Sequence, residues 1–156
     1  ITYSFGKTMH VTGWKLGYCI APESFTAEFR KIHQYMVFCA NNTMQYAAAK
    51  YLNAGEFWRE VMPMYQQKKD LFMEQIKMSR FKPLTCSGTY FCLLDYSEIS
   101  TLPDVDFAKE LTIKYGVAAI PVSVFYQDQT DHKVIRICFA KQNETLIKAA
   151  ELLCKI

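Results

Sequence analysis

Lys7 is the residue whose neighbours most directly suggest chemistry. It lies between Gly6 and Thr8 in the stretch SFGKTMHVTGWKLGY. A Gly-Lys-Thr triplet can belong to a loop that wraps the phosphates of a nucleotide. A lysine on a tight turn can instead attack an aldehyde through its unprotonated amine and act as a covalent catalyst. The two chemistries need different neighbours, which the rest of the chain can supply or lack.

The nucleotide-binding alternative lacks its first glycine. The phosphate-loop motif G-x-x-x-x-G-K-[ST] requires a glycine at the position that Ile1 occupies. The residues between, TYSF, are too bulky for backbone amides to approach phosphates closely. No obvious strand ending in a magnesium-binding aspartate follows close downstream. The sequence therefore argues against a nucleotide hydrolase.

A lysine that binds pyridoxal phosphate (PLP) covalently needs separate groups for the phosphate of the cofactor. Ser4 lies three residues before Lys7, and Lys15 lies eight residues after it. A hydroxyl and an ammonium can both bind an oxyanion. A turn at the end of a strand, with Gly13 and Gly17 allowing the backbone to turn tightly, would bring both side chains to one site.

Strands and helices alternate along the chain, which predicts an α/β or α+β fold. Strands are predicted for ITYS, GYCIA, pieces of FKPLTCSGTYFCLLDYS, VAAIP and VIRICFA. Helices are predicted from Glu23 to about Phe38, in MQYAAAKYLNA with Asn42 or Thr43 as its cap, from Glu56 to about Ser79 with a kink or restart at Pro63, from Pro103–Asp104 to Gly116, and from about Asn143. The long third helix is the expected bridge between two units.

The composition fits one ordinary domain or parts of two. The 156 residues are 51% hydrophobic and carry a net charge of +3. The basic residues form no stripe typical of nucleic-acid binding, and no apolar run reaches the roughly 18 residues that a membrane span needs. Six scattered cysteines without a C-x-x-C pair argue against a zinc site and favour a reducing, cytoplasmic setting. Any targeting segment is expected upstream of Ile1.

The stretch S-F-G-K-T-x-H-x-T-G-W-K-L-G-Y strongly resembles the lysine motif of fold-type I, PLP-dependent class I/II aminotransferases. It is most similar to the kynurenine/glutamine and methionine aminotransferase branch. The resemblance continues through GTYF (88–91), IPVSVFY (120–126) and IRICFAK (135–141), and it covers nearly the whole chain. The implied fold is α/β, with residues 1–58 ending the large PLP-binding domain and residues 59–156 forming the α+β small C-terminal domain.

The resemblance implies a role for each motif residue around the lysine. Lys7 would be the residue that forms the Schiff base with PLP. Ser4 and Lys15 would contact the phosphate of the cofactor. No metal is implied.

The resemblance also implies the substrate contacts. Arg136 would bind the α-carboxylate of the substrate, for which a guanidinium fork is well matched. Without the family, an arginine in the apolar run VIRICF would be read as structural and paired with an internal acid. Phe125 and Tyr126 would line the substrate pocket, whereas Phe91 is expected in the core.

The implied activity is transfer of an amino group to a 2-oxo acid. The expected donors are large neutral amino acids such as methionine, an aromatic amino acid, kynurenine or glutamine, and the full-length protein is expected to be a cytoplasmic homodimer. The alternatives are a PLP-dependent cysteine-conjugate β-lyase (C–S lyase) of the same fold and a non-catalytic interaction protein that retains the fold. The residues that hold the PLP ring in this family precede its lysine motif. The 156 residues alone are therefore expected to be inactive.

Overall fold

The computed structural model describes residues 1–156, apart from the side chain of residue 57. The chain divides into two compact units, Ile1–Met62 and Pro63–Ile156. Helices and strands alternate in the predicted order, which confirms a mixed fold. Among the described residues, no helix is long and apolar enough to cross a membrane.

The first unit begins with a short antiparallel ladder. Strand β1 (Thr2–Ser4) pairs with β2 (Gly17–Cys19), with Ser4 opposite Gly17 at the end of the ladder. Between the strands lie the one-turn helix α1 (Phe5–Thr8) and a 3₁₀ turn (Thr12–Trp14). The ladder therefore returns the chain to the point at which α1 begins.

Two longer helices complete the first unit where the sequence predicts them. They are α2 (Glu23–Met36) and α3 (Asn42–Asn53). The cap of α3 lies one residue earlier than predicted, because the side chain of Asn41 accepts the Met44 N–H at 3.1 Å. None of the residues of α2 is buried in this chain, although its apolar residues have helical spacing. Helical periodicity thus predicted the helix but not its burial.

The second unit is a four-stranded antiparallel sheet with helices. After a 3₁₀ turn (Phe57–Glu60), the elements are α4 (Val61–Gln75), β3 (Lys82–Pro83), β4 (Phe91–Asp95), α5 (Asp104–Tyr115), β5 (Ile120–Pro121), β6 (Val134–Cys138) and α6 (Asn143–Leu153). The strand order is β3-β4-β6-β5. Pro63 lies in the first turn of α4, where its missing N–H costs no helical hydrogen bond. Gly116 ends α5 with φ 72°, as its sequence position predicts.

The core of the second unit lies on one face of this sheet. Cys92 and Leu94 of β4 and Ile135 and Ile137 of β6 are at most 5% exposed, and they contact buried residues of the helices, including Phe72, Phe107, Leu111, Leu146 and Leu153. Successive side chains of a strand point to opposite faces. The other face of the sheet therefore carries Phe91, Leu93, Arg136 and Cys138, all of which are partly exposed.

Candidate active site

Ser4 and Lys7 lie on one turn at the end of β1. Ser4 is the N-cap of α1, and its Oγ accepts the Gly6 N–H at 3.2 Å. Lys7 lies within the turn that Ser4 caps, and both side chains are exposed in this chain. Because Ser4 Oγ is the acceptor in this bond, its own proton is available to a ligand oxygen.

Lys15 is brought to the same turn by the backbone. The Phe5 N–H donates to the Leu16 carbonyl oxygen at 3.0 Å, directly beyond the β1–β2 ladder. Lys15 immediately precedes Leu16 and has φ 52°, a left-handed conformation that few residues other than glycine adopt. The chain therefore reverses at Lys15 before it enters β2. We call Ser4, Lys7 and Lys15 the lysine turn.

Two glycines allow the backbone segments of the lysine turn to approach closely. A Cβ on Gly17 would lie 2.3 Å from the Tyr3 carbonyl oxygen, so β1 and β2 could not pair as they do with any larger residue there. A Cβ on Gly6 would lie 3.2 Å from Ser4 Oγ and would narrow the space beside that hydroxyl. An added Cβ on Gly13, by contrast, meets nothing within 4 Å. Gly17 is thus required by packing, and Gly13 is not.

The chemistry of the lysine turn fits PLP. The hydroxyl of Ser4 and the ammonium of Lys15 are donors for phosphate oxygens. The amine of Lys7 is a nucleophile for the aldehyde carbon when it is unprotonated. All three residues are exposed and lie near the adjoining ends of β1 and β2, and the absent side chain of Gly6 leaves room next to Ser4. The donor set therefore suits an aldehyde that carries a phosphate.

Arg136 lies between two aromatic rings on the outer face of the second unit's sheet. Its Cζ is 4.6 Å from the centroid of the Phe91 ring and 5.2 Å from that of Phe125, and both distances are within the range of cation–π contacts. Leu93 of β4 and Ile120 of β5 are its register partners on the neighbouring strands. The two ring contacts and the two register partners of Arg136 are thus all apolar residues.

The described residues provide no ion pair for Arg136. Their seven ion pairs all involve other side chains, and none of their hydrogen bonds uses this guanidinium. A structural arginine in an apolar strand would be expected to meet an internal acid. Because the rings cover the guanidinium without accepting its N–H groups, its donors are available to a carboxylate from outside. We call Arg136, Phe91 and Phe125 the arginine face.

Phe125 and Tyr126 differ in what they contact. Both follow Pro121 as predicted, Phe125 as the last residue of a 3₁₀ turn (Ser123–Phe125) and Tyr126 directly after it. Phe125 is 61% exposed, and its ring lies beside Arg136. The Tyr126 ring instead lies edge-on to His132, with the centroids 5.4 Å apart. The structure therefore brings Phe125 to the arginine face, and it places Tyr126 against a different neighbour.

The prediction that Phe91 belongs to the core was wrong. Its side chain is partly exposed and contacts Arg136, because the alternation of β4 directs Cys92 and Leu94 into the core. The signal was present in FCLLD, where Phe91 has the same parity as Leu93. The sequence alone could not show that this side of β4 faces Arg136, because that depends on the register, which places Leu93 opposite Arg136.

The chain matches known proteins along nearly its whole length. The family model of aminotransferase class I and II matches residues 1–153. Over 96% of its own residues, the chain is 52% identical to the methionine aminotransferase of Escherichia coli. It is 34% identical to the kynurenine–oxoglutarate transaminase of Dictyostelium discoideum over 98% of its residues.

Solved structures agree with these matches. The crystal structure of YbdL from Escherichia coli, for which a methionine aminotransferase function is described, superposes with a TM-score of 0.90 at 50% identity over 99% of this chain. The aromatic aminotransferase of Pyrococcus horikoshii superposes with a TM-score of 0.83 at 25% identity over 99% of this chain. The chain spans about 40% of the length of the relatives it matches, from 39% of the Escherichia coli enzyme to 41% of the two solved structures.

Proposed function

Because the chain belongs to the aminotransferase class I and II family, whose members depend on PLP, we propose that the full-length protein is a PLP-dependent aminotransferase. It transfers the amino group of a large neutral amino acid, methionine first among them, to a 2-oxo acid. The observation that supports the proposal is the lysine turn, in which one short ladder brings the backbone before Lys7 and the backbone after Lys15 together.

The residues of the lysine turn and Arg136 have distinct tasks in this proposal. Bound PLP supplies an electron sink for the electron pair left on Cα when its proton departs. Ser4 and Lys15 would hold the phosphate, and Lys7 Nζ would bind the cofactor covalently and, once released from it, would take up the proton that leaves Cα of the amino acid. Arg136 holds the α-carboxylate of the amino acid through the two parallel bonds that a guanidinium can form.

The substrate preference is proposed from the relatives and from the arginine face. The 52% identical relative is a methionine aminotransferase, and others are kynurenine–oxoglutarate transaminases. Phe91, Phe125, Leu93 and Ile120 around Arg136 are apolar, which suits a large uncharged side chain better than a second carboxylate. A panel of amino donors tests this, and the preference is wrong if aspartate or glutamate gives the highest kcat/KM.

We further propose that the full-length protein is a cytoplasmic homodimer and that 1–58 and 59–156 are parts of a large and a small domain. The dimer is proposed from the family resemblance, and the compartment from the six scattered cysteines without a C-x-x-C pair. The division of the chain at Met62–Pro63 is compatible with the two domains. Light scattering of the full-length protein measures the oligomeric state, and a monomer at working concentration would contradict the dimer.

Two incubations of the full-length protein with PLP test the reaction. Methionine with a 2-oxo acid should yield the amino acid of that 2-oxo acid, and a cysteine conjugate alone should yield little pyruvate or ammonia. Pyruvate and ammonia from the conjugate, without amino transfer in the first incubation, would favour the β-lyase.

Lys7→Ala tests the lysine turn. Turnover should be abolished, and borohydride should no longer attach PLP to the peptide that contains residue 7, as read by mass spectrometry. Lys50→Ala, at an exposed position of α3, is the matched control and should retain both properties. Because Lys7 is exposed, its removal should leave stability nearly unchanged. Near-normal turnover of Lys7→Ala would refute the proposed function.

A further inference from the structure

Asp104 is a buried carboxylate that neither the lysine turn nor the arginine face includes. It is the first residue of α5, and it is 1% exposed. Its two oxygens accept two hydrogen bonds from Ser123, one from the backbone N–H to Oδ2 and one from the hydroxyl to Oδ1, both at 2.7 Å. Ser123 is itself 6% exposed. A buried carboxylate is costly unless such bonds compensate it, so the pair holds its geometry firmly.

The residue that Asp104 binds opens the 3₁₀ turn that carries Phe125. The Phe125 N–H donates to the Val122 carbonyl oxygen at 3.1 Å, and the Tyr126 N–H donates to that of Ser123 at 3.0 Å. The turn is otherwise exposed, since Val124 is 54% and Phe125 is 61% accessible. Ser123 is therefore the buried residue of a turn whose other two side chains are largely exposed.

Asp104 is in turn held by the segment that leads into β6. The Asp104 N–H donates to Asp131 Oδ2 at 3.2 Å, and Lys133 Nζ donates to the same oxygen at 2.9 Å. Lys133 Nζ also donates to the Thr101 and Leu102 carbonyl oxygens, at 3.2 and 3.0 Å. One hydrogen-bonded network thus joins the start of α5, the Phe125 turn and the beginning of the strand that carries Arg136.

We propose that Asp104 is a positioning residue for the substrate carboxylate: through Ser123 it fixes the turn that holds the Phe125 ring against the Arg136 guanidinium. The inference rests on the proposed role of Arg136. A ring fixed on that side of the guanidinium limits its rotation and excludes water from its face. The N–H donors are then oriented for a carboxylate before the substrate arrives, which lowers the entropic cost of binding.

Ser123→Ala in the PLP-loaded full-length protein tests the proposal. It removes the hydroxyl bond and retains the backbone bond to Asp104, so the fold should persist. The KM for methionine should rise about twofold to fivefold, the range of one cation–π contact at an exposed site, while kcat stays nearly unchanged. The Kd of 4-(methylthio)butanoate, which has the carboxylate and side chain of methionine without the amine, should rise by the same factor in calorimetry.

The control variants separate positioning from stability. Tyr96→Phe removes a hydrogen bond of a fully buried side chain, from Tyr96 Oη to the Leu102 carbonyl oxygen. That oxygen keeps its bond from Lys133 Nζ, and both bonds of Ser123 stay intact. It should lower stability without changing KM. Asp104→Asn retains the size of the side chain and can donate to Ser123 Oγ, so it should affect the Kd of the probe less than Ser123→Ala does. Amide exchange of residues 123–126 should accelerate in Ser123→Ala and stay unchanged in Tyr96→Phe.

A double variant tests whether Ser123 changes the Kd of the probe through the Phe125 ring. If Ser123 acts through the Phe125 ring, Ser123→Ala should change the probe Kd by less than about 1.5-fold in a Phe125→Leu background. An equal rise in both backgrounds, or no rise with Phe125 present, would overturn the inference. Arg136→Ala is the reference. If it weakens the probe and Ser123→Ala does not, the inference alone fails, and if Arg136→Ala has no effect, the proposed role of Arg136 fails with it.

Discussion

Arg136→Ala should selectively weaken the binding of the amino acid. The guanidinium has no ion-pair partner among the described residues, so its donors are available to the substrate carboxylate. Loss of a charge-assisted bidentate contact costs about 2–4 kcal/mol, which corresponds to a decrease in kcat/KM of about 30-fold to 1,000-fold. Most of that decrease should appear as a higher KM, with little change in the affinity for PLP.

The same substitution should have a small effect on folding. It removes two cation–π contacts, each worth about 0.5–1 kcal/mol at such a partly exposed site. It also removes a partly buried charge that no internal acid compensates, and this offsets part of the loss. We therefore expect the free energy of unfolding to change by about 1 kcal/mol or less, as measured by urea denaturation.

Two further variants test whether the loss of the guanidinium causes the lower affinity for the amino acid. Arg136→Lys should recover only part of the lost affinity, because an ammonium cannot form the two parallel bonds of a guanidinium. Arg80→Ala is a matched control, since Arg80 of the same unit donates to the backbone oxygens of Glu98 and Ile156. It should alter stability and leave KM unchanged. If Arg136→Ala leaves the KM unchanged, or lowers the affinity for PLP instead of that for the substrate, Arg136 does not bind the substrate carboxylate and its role is structural.

Three other properties can be tested on the full-length protein. Gly17→Ala should destabilise the β1–β2 ladder by roughly 1–3 kcal/mol, since its Cβ would lie 2.3 Å from a carbonyl oxygen, whereas Gly13→Ala should cost far less in the same urea titration. Burial raises the pKa of the Cys92 thiol to about 12, so iodoacetamide at neutral pH should spare Cys92 until the protein unfolds. Labelling of Cys92 in the folded protein would contradict its burial. Burial raises the pKa of the Asp131 carboxyl, but hydrogen bonds and charge from Lys133 outweigh this and hold it below the usual 3.8. The resulting stabilisation should be complete at neutral pH and lost as the pH falls through the folded pKa, and Asp131→Asn should lack this acid dependence.

Local signals predicted most of the elements. Pro103 and Gly116 delimit α5 because a proline at the start of a helix costs no helical hydrogen bond and a glycine readily adopts the left-handed C-terminal conformation. The lysine turn was also accessible from sequence, since Ser4, Lys7 and Lys15 lie close together along the chain and one short ladder unites them. The family resemblance rested on the same stretches and was confirmed by the comparisons.

Only the tertiary structure decided which side chains surround Arg136. Phe91 reaches it from a strand 45 positions earlier, and Ser123 joins Asp104 across 19 positions. In a strand, a shift of one residue in register exchanges the buried and exposed sides, so neither composition nor periodicity can tell which neighbours an outward-facing side chain meets. The register is set by the burial of Cys92, Leu94, Ile135 and Ile137 against the helices. The chemistry of single residues was therefore readable from the sequence, whereas the environment of Arg136 depended on how distant strands pair.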